Sequence, residues 1–94
     1  MYRLEPTTQF KKDFKSIPED KHAEIENVFE ILSETGTLPV VPYRTHKLIG
    51  NYKNHYEAHI ESDMLLIWFK VSDDNVISLT RIGSHAKLFG KNNK

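Results

Sequence analysis

Residues 55–69 of the chain are HYEAHIESDMLLIWF, and they contain two different hydrophobic patterns. Between residues 55 and 61 apolar side chains alternate with polar ones, which predicts a strand with one buried face and one open face. Residues 64–69 are all apolar, a pattern that is typical of a central strand covered on both faces. Because Ser62 and Asp63 favour a tight turn between them, the stretch predicts an antiparallel hairpin.

Further strand signals lie on either side of this hairpin. Residues 46–51 predict a short strand that ends in a Gly-Asn turn, and residues 76–82 predict a strand that follows a turn at 72–75. Residues 85–89 predict a short C-terminal segment, and the tail from 91 to 94 is expected to be frayed. The second half of the chain therefore predicts an antiparallel meander of three or four strands.

The first half of the chain begins with a short strand and a first helix. Residues 2–5 predict a strand that ends at Pro6. Thr7 or Thr8 can cap a helix, because a hydroxyl at that position accepts from a free backbone N–H group. Apolar side chains then recur at i, i+4 and i+7 to form one stripe, namely Phe10, Phe14 and Ile17.

A second amphipathic helix is predicted from about Pro18 to Glu34. Ser16 and Glu19 have the spacing of a capping box, and Gly36 is a suitable C-terminal cap. The two prolines between residues 37 and 43 predict a loop. The whole chain thus predicts one α+β domain, 1–94, in which an N-terminal strand and two helices pack on a small antiparallel sheet.

Composition narrows the functional classes. The 94 residues include no cysteine, which excludes disulfides and thiolate metal sites, and we expect a cytoplasmic protein. No apolar run is long enough to span a bilayer, and the first ten residues lack the apolar stretch of a signal peptide.

The net charge is zero, but the charges are unevenly distributed. Residues 1–43 carry 5 basic and 8 acidic side chains, whereas residues 44–94 carry 8 basic and 5 acidic ones. A polyanionic partner would therefore meet the second half of the chain, although a scattered solvated surface would give a similar distribution.

Four residues of the second half could carry acid-base chemistry. The alternation places His59 on the polar face of its strand, and Asp63 follows four residues later, where its carboxylate could orient an imidazole or take a proton. His46 opens one predicted strand and His85 follows another, so both could reach the same edge of the sheet. Histidine has an ordinary pKa of about 6.5 and can both take and give a proton near neutral pH. Taken singly, each is better explained as an ordinary surface residue.

Arg81 is the candidate whose position the pattern leaves open. Strict alternation gives it the parity of Ile77 and Leu79, which would bury it, unless a bulge near Gly83 releases it. Its guanidinium could stabilise charge on a phosphate, or it could form a surface ion pair.

The remaining candidates would bind a nucleic acid rather than react with it. Phe89 could stack on a base or cap the core. Three lysines could contact phosphates or could be ordinary surface residues, namely Lys47, Lys53 and Lys87.

Four segments together carry a resemblance to a known family. They are HKLIGNYK at 46–53, YEAHIESD at 56–63, LLI at 65–67 and RIGSHAKLFG at 81–90. In this order the segments, which lie within residues 46–90, about half of the chain, resemble the YafQ branch of the RelE/ParE toxin superfamily. Two features depart from the family pattern. Met64 stands where relatives often carry an aromatic residue, and this chain has a net charge of zero whereas many relatives are strongly basic.

The resemblance implies a RelE-like fold and the toxin of a type II toxin–antitoxin pair. Such toxins are ribosome-dependent endoribonucleases that cleave mRNA without a metal or other cofactor, by attack of a 2′-hydroxyl on the adjacent phosphate. The implied partners are a cognate antitoxin, the ribosome and mRNA, with operator DNA bound only through the antitoxin and with no membrane involved. The family's active-site positions correspond here to His46, His59, Asp63, His85 and Phe89.

For these roles we expect His59 or Asp63 to act as the base, His85 as the acid, and His46 to bind or polarise the phosphate. Two other functions remain open from the sequence. A metal-dependent hydrolase could use histidine and aspartate ligands, but no HExxH-like spacing is present. A non-catalytic protein with this fold could bind an antitoxin and take part in operator autoregulation.

Overall fold

In the part of the chain that the structure describes, the fold consists of five strands and four helices. In the computed structural model the strands are β1 (Arg3–Pro6), β2 (His46–Lys47), β3 (Tyr56–Ile60), β4 (Met64–Val71) and β5 (Val76–Gly83). The helices are α1 (Thr8–Lys15), α2 (His22–Thr35), the single turn α3 (Val40–Tyr43) and α4 (His85–Phe89), with 3₁₀ turns at Glu19–Lys21 and Gly50–Tyr52.

The structure describes residues 1–61, 63–71 and 74–90. Parts of the two predicted turns and the predicted frayed tail lie outside these residues. Within the described residues, no helix combines the length and the apolar character that a bilayer crossing requires.

The strands form one sheet in the order β1-β5-β4-β3-β2. The predicted antiparallel meander is confirmed as β2 to β5, and β1 extends it as an edge strand that pairs parallel to β5. β4 is the central strand of the meander, and its residues from Met64 to Trp68 are buried. This agrees with the apolar run in the sequence, since a strand covered on both faces cannot alternate.

Helices α1 and α2 cover one face of the sheet and enclose the main core. Thr7 caps α1 by accepting a hydrogen bond from Phe10 N at 3.0 Å, and Gly36 ends α2 at a φ of 82°, as both residues were predicted to do. Three apolar residues of α2 are fully buried in this core: Ile25, Val28 and Leu32. They pack with β3, β4 and β5 residues that face the helices, including Ala58, Leu66, Trp68 and Ile82.

Three local predictions differ from the structure. Ser16 does not open a capping box, because it ends α1, with its N–H bonded to the carbonyls of Asp13 and Phe14. The following 3₁₀ turn begins after Pro18 without a side-chain cap. The segment from 37 to 43 is not wholly a loop, since it contains α3, and the strand predicted at 46–51 is only two residues long.

A bulge in β5 decides where Arg81 lies. The register pairs Ile67 with Arg81 but Trp68 with Leu79, so Thr80 is the extra residue in β5. An extra residue reverses the alternation of everything after it. The Arg81 side chain therefore leaves the backbone on the face opposite the helices, as the alternative with a bulge allowed, although the bulge lies before Arg81 and not at Gly83. Its guanidinium still reaches Asp13 of α1.

Candidate functional site

The face of the sheet opposite α1 and α2 carries most of the candidate residues. Register places His46, Glu57, Ile67 and Arg81 in one row across four strands. The next row contains His59, Leu65 and Gly83. Since paired residues on neighbouring strands share a face, the histidines of β2 and β3 lie on the same open surface.

Glu57 joins the two histidines. Its carboxylate oxygen Oε1 lies 3.1 Å from His46 Nε2 and 3.8 Å from His59 Nε2. The Glu57 side chain is 9% exposed, whereas the His46 side chain is 50% exposed. A carboxylate so nearly buried needs charged or donor partners, and these two imidazoles provide them.

Arg44 contacts both histidines from the end of α3. Its carbonyl accepts a hydrogen bond from His46 Nδ1 at 2.9 Å, and its Nη2 lies 3.1 Å from His59 Nδ1. With the carbonyl at Nδ1 and the Glu57 carboxylate at Nε2, both nitrogens of the His46 ring face acceptors. The Arg44 carbonyl and the Glu57 carboxylate therefore fix the orientation of the His46 ring.

The surroundings of His59 keep its imidazole neutral. Burial lowers the pKa of His59, and the neighbouring positive charge of Arg44 lowers it further, whereas Glu57 opposes the shift. His46 and His85 also lower this pKa by charge repulsion. Gly83, in the same row as His59, ends β5 two residues before His85. A neutral imidazole at neutral pH is able to accept a proton.

His85 and Phe89 lie together on α4. Their ring centroids are 5.0 Å apart, and Phe89 meets the Tyr52 ring edge-on at 6.0 Å. Phe89 and Tyr52 also pack on a second, smaller core formed by Leu65, Ile67 and Leu88 beneath the open face. Phe89 is thus half-buried and borders both the small core and His85. This position is compatible with both roles suggested by the sequence, stacking on a base and capping the core.

Arg81 forms a buried ion pair with Asp13 of α1. Its Nε and Nη2 donate to the two Asp13 carboxylate oxygens at 2.7 and 3.1 Å. The hydrogen bonds to Asp13 raise the pKa of Arg81, and a hydrogen bond with Tyr52 adds to the shift. The ion pair is therefore internal, whereas the sequence had suggested that Arg81 could form an ion pair at the surface.

Asp63 is exposed and lines a cavity of about 300 Å³ that lies by the start of β4 and the end of β5. Asp13, Gly83, Ser84 and Lys87 line the same cavity, which extends from α1 to the start of α4. Among the described residues, no hydrogen bond or ion pair joins Asp63 to His59, so Glu57 and not Asp63 is the carboxylate beside that imidazole.

The other two candidate lysines lie on the segments that precede β3. Lys47 pairs with Tyr56, whose ring belongs to the main core, so Lys47 starts on the helix side of the sheet. Lys53 is exposed and follows the 3₁₀ turn before β3. Neither residue contacts a site histidine within the part of the chain that the structure describes.

Comparisons with known proteins agree with this fold. The family model for the bacterial YafQ toxin of type II toxin–antitoxin systems matches residues 2–90. The mRNA interferase toxin YafQ of Escherichia coli strain K12 is 33% identical over 91 residues, which cover 93% of this chain and 95% of that protein.

Solved structures give the same result. The crystal structure of the E. coli DinJ–YafQ complex has a TM-score of 0.78 and 30% identity, and the match covers 96% of this chain and 100% of that chain. The metal-bound toxin from Helicobacter pylori has a TM-score of 0.79 and 29% identity, and the match covers 95% and 100% of the two chains. The chain belongs to the YafQ toxin family.

Membership of the YafQ family confirms the predicted RelE-like α+β fold. Four residues that the candidate set omitted contribute to the site: Asp13, Arg44, Tyr52 and Glu57. Glu57 had a usable signal, because the alternation of β3 gives it the same face as His59. The contacts of the other three depend on α1, α3 and the 3₁₀ turn, which local patterns cannot place against the sheet.

Proposed function

We propose that this YafQ-family chain is the toxin of a type II toxin–antitoxin pair and cuts mRNA on the ribosome as an endoribonuclease. The observation that carries the proposal is the Glu57 carboxylate that holds His46 and His59 on the open face, within range of His85. RNA cleavage by intramolecular attack needs a base, an acid and positive charge at the phosphate. This face offers groups suited to each requirement.

The proposed reaction begins when the base removes the proton of a 2′-hydroxyl. The 2′-oxygen bonds to the adjacent phosphorus, the bond to the 5′-oxygen breaks, and the acid protonates the departing 5′-oxygen. The products are a 2′,3′-cyclic phosphate and a free 5′-hydroxyl, so no external nucleophile is consumed.

His59 is suited to the role of base because its lowered pKa leaves the imidazole unprotonated at neutral pH and so able to accept a proton. In the free chain Arg44 Nη2 lies at its ring nitrogens, at 3.1 and 3.4 Å. We expect a bound phosphate to draw the Arg44 guanidinium towards itself and to free one nitrogen of His59 for the 2′-hydroxyl. Asp63 is the second candidate for this role, since it borders the adjoining cavity.

The other roles follow from exposure and charge. His85 is exposed on α4 and is suited to donate a proton to the leaving oxygen. Arg81 supplies positive charge for the phosphate, and His46, whose ring is held by Arg44 and Glu57, is suited to bind or polarise it. Phe89, beside His85, is suited to stack on a base next to the cleaved bond.

The proposed partners follow from the relatives. E. coli YafQ has been solved in a complex with DinJ, and we propose that this chain likewise binds a cognate antitoxin. Ribosome-bound mRNA would be its substrate in the cytoplasm, and operator DNA would be reached only through the antitoxin.

Growth arrest on expression tests whether the chain is a nuclease. The expected result is arrest by the wild-type chain and relief by His85→Ala. The control is His22→Ala, because His22 stacks on Phe14 at 4.6 Å and should not affect catalysis. Arrest that persists in His85→Ala would contradict the assigned role, and a wild-type chain without toxicity would favour the non-catalytic alternative.

Metal removal tests the competing hydrolase mechanism. Among the described residues, no group of three or more His, Asp or Glu side chains could hold a metal ion, although the related Helicobacter pylori toxin is metal-bound. We expect 1,10-phenanthroline, which leaves ribosomal Mg²⁺ in place, to have no effect on cleavage. Loss of cleavage that added Zn²⁺ restores would favour the metal-dependent alternative.

A further inference from the structure

Asp13 is a buried carboxylate to which the proposed chemistry assigns no role. It is 1% exposed and lies on α1, in the layer that covers the opposite face of the sheet. Its two oxygens accept hydrogen bonds from Arg81 Nε at 2.7 Å, Arg81 Nη2 at 3.1 Å, Ile82 N at 3.1 Å and Gln9 Nε2 at 3.1 Å. Four donors hold this buried carboxylate in a defined position, unlike an isolated charge at the surface.

Asp13 contacts β5 at the edge of the sheet, beyond the point where β1 stops pairing with β5. Pairing of β1 with β5 ends at Pro6 and Leu79. Ile82 N lies past that end, and the Asp13 carboxylate accepts its hydrogen bond where a strand would have done so. Asp13 therefore fixes β5 just after the bulge.

The same carboxylate fixes the direction of Arg81. The bulge turns Arg81 onto the open face, into the row that contains His46 and Glu57. Two parallel hydrogen bonds from Nε and Nη2 hold the planar guanidinium in one orientation, which a single contact would not do. Lys87 of α4 also approaches Asp13, with Nζ 4.0 Å from Oδ1.

We propose that Asp13 is a positioning residue for RNA cleavage, which holds the Arg81 guanidinium where the scissile phosphate binds. This inference rests on the proposed ribonuclease function. The negative charge of Asp13 beside a phosphate site would weaken RNA binding. Its contribution to cleavage therefore has to come from orienting the Arg81 guanidinium and not from attracting the RNA. Asp13 is thus expected to raise the rate of the chemical step while contributing nothing to affinity.

The test is steady-state cleavage by Asp13→Asn, with kcat and KM measured separately. We expect kcat to fall about 100-fold, as a misplacement of about 1 Å can cause, and KM to stay equal or to fall. The matched control is Gln9→Ala, which removes another partner of Asp13 and leaves Arg81 in place, so kcat should not change. In an Arg81→Lys background, Asp13→Asn should cause no further loss of kcat.

Arg81→Lys alone keeps the charge but lacks the planar guanidinium, whose two N–H groups bind both carboxylate oxygens of Asp13. This variant tests the same orientation if Asp13→Asn fails to fold. A large fall in kcat with KM retained supports the inference. If Arg81→Lys slows cleavage but folded Asp13→Asn cleaves normally, the inference about Asp13 is wrong while the ribonuclease function stands. Full activity of Arg81→Lys would overturn the roles of both residues, and loss of the function itself would be seen independently in His85→Ala.

Discussion

Glu57 brings together residues that are distant in the chain and could not form a site alone. His46 lies on an edge strand of two residues, and the Glu57 carboxylate connects it to His59 on the neighbouring strand. Because Glu57 is nearly buried, its charge is poorly screened and acts strongly on both imidazoles. Glu57 thus fixes their relative position.

Glu57→Gln tests this arrangement at the scale of one residue. The amide keeps the shape but loses the charge that orients His46, so we expect kcat to fall 10- to 100-fold, at the lower end of acid-base effects of about 10²–10⁴. The control is Glu61→Gln, because Glu61 is exposed and its partner is Lys21, at 3.0 Å. Equal activity of Glu57→Gln and Glu61→Gln would show that the carboxylate of Glu57 is not needed.

Arg44→Gln should change the pH dependence of cleavage. Burial and the Arg44 charge both lower the pKa of His59, so removal of the charge should raise that pKa towards its ordinary value of about 6.5. A base with a higher pKa is protonated at a higher pH, and the acidic limb of the pH profile should therefore move to higher pH.

The measurement for Arg44→Gln is kcat/KM between pH 5 and 8, together with NMR titration of the His59 ring. A shift to lower pH in either experiment would be the wrong sign and would contradict the role of Arg44.

The sequence predicted single residues well where one strand pattern was sufficient. Alternation in β3 placed His59 on the open face, and this prediction is confirmed by the register. Arg81 was left open because the position of a bulge depends on both neighbouring strands. The roles of His46, His59, Asp63 and His85 remain predictions until they are measured.

At the scale of elements, α4 is the least supported part of the site. It has five residues, and its first turn is held by the Ser84 hydroxyl, which accepts from Lys87 N at 3.1 Å. A helix this short has little stability of its own and depends on its cap and on the packing of Leu88. The position of His85 therefore depends on Ser84.

Ser84→Ala should loosen α4, since loss of a serine N-cap costs about 0.5–2 kcal/mol. We expect kcat to fall several-fold while the thermal midpoint changes little, because α4 adds little to the main core. The control is Thr7→Ala, which removes the cap of α1 and should lower the thermal midpoint without changing kcat of the folded protein. The reverse pattern in the two variants would contradict this assignment.

The capping box was mispredicted for a reason that belongs to the element scale. Ser16 and Glu19 have the right spacing, but α1 ends at Lys15 and uses Ser16 as its C-terminal cap. Local spacing cannot distinguish the end of one helix from the start of the next when only a few residues separate them. Helices α1 and α2 were predicted because each carries a regular apolar stripe, whereas α3 was predicted as a loop.

At the scale of the whole molecule, the sheet separates stability from activity. The main core lies between the helices and one face of the sheet, whereas the opposite face carries the small core and the histidines. The α+β class and the meander were predictable from local patterns, but the parallel pairing of β1 with β5 was not, because it joins the two ends of the chain.

Leu32→Ala and Leu88→Ala should therefore have different effects. Leu32 is fully buried in the main core, and its truncation should cost about 2–5 kcal/mol of unfolding free energy without altering kcat of the folded fraction. Leu88 lies in the small core next to Phe89, and its truncation should cost less stability but lower kcat. Urea unfolding with parallel cleavage assays makes the comparison, and a loss of kcat confined to Leu32→Ala would contradict it.

The most direct test of the account is cleavage of mRNA on programmed ribosomes with a single 2′-deoxynucleotide at the cleavage site. Attack by the 2′-hydroxyl requires that this substrate remain uncut at that position, while the all-ribose message is cut and yields a 2′,3′-cyclic phosphate. Cleavage of the deoxy substrate at the same bond would show that the imidazoles of the open face do not act by intramolecular attack.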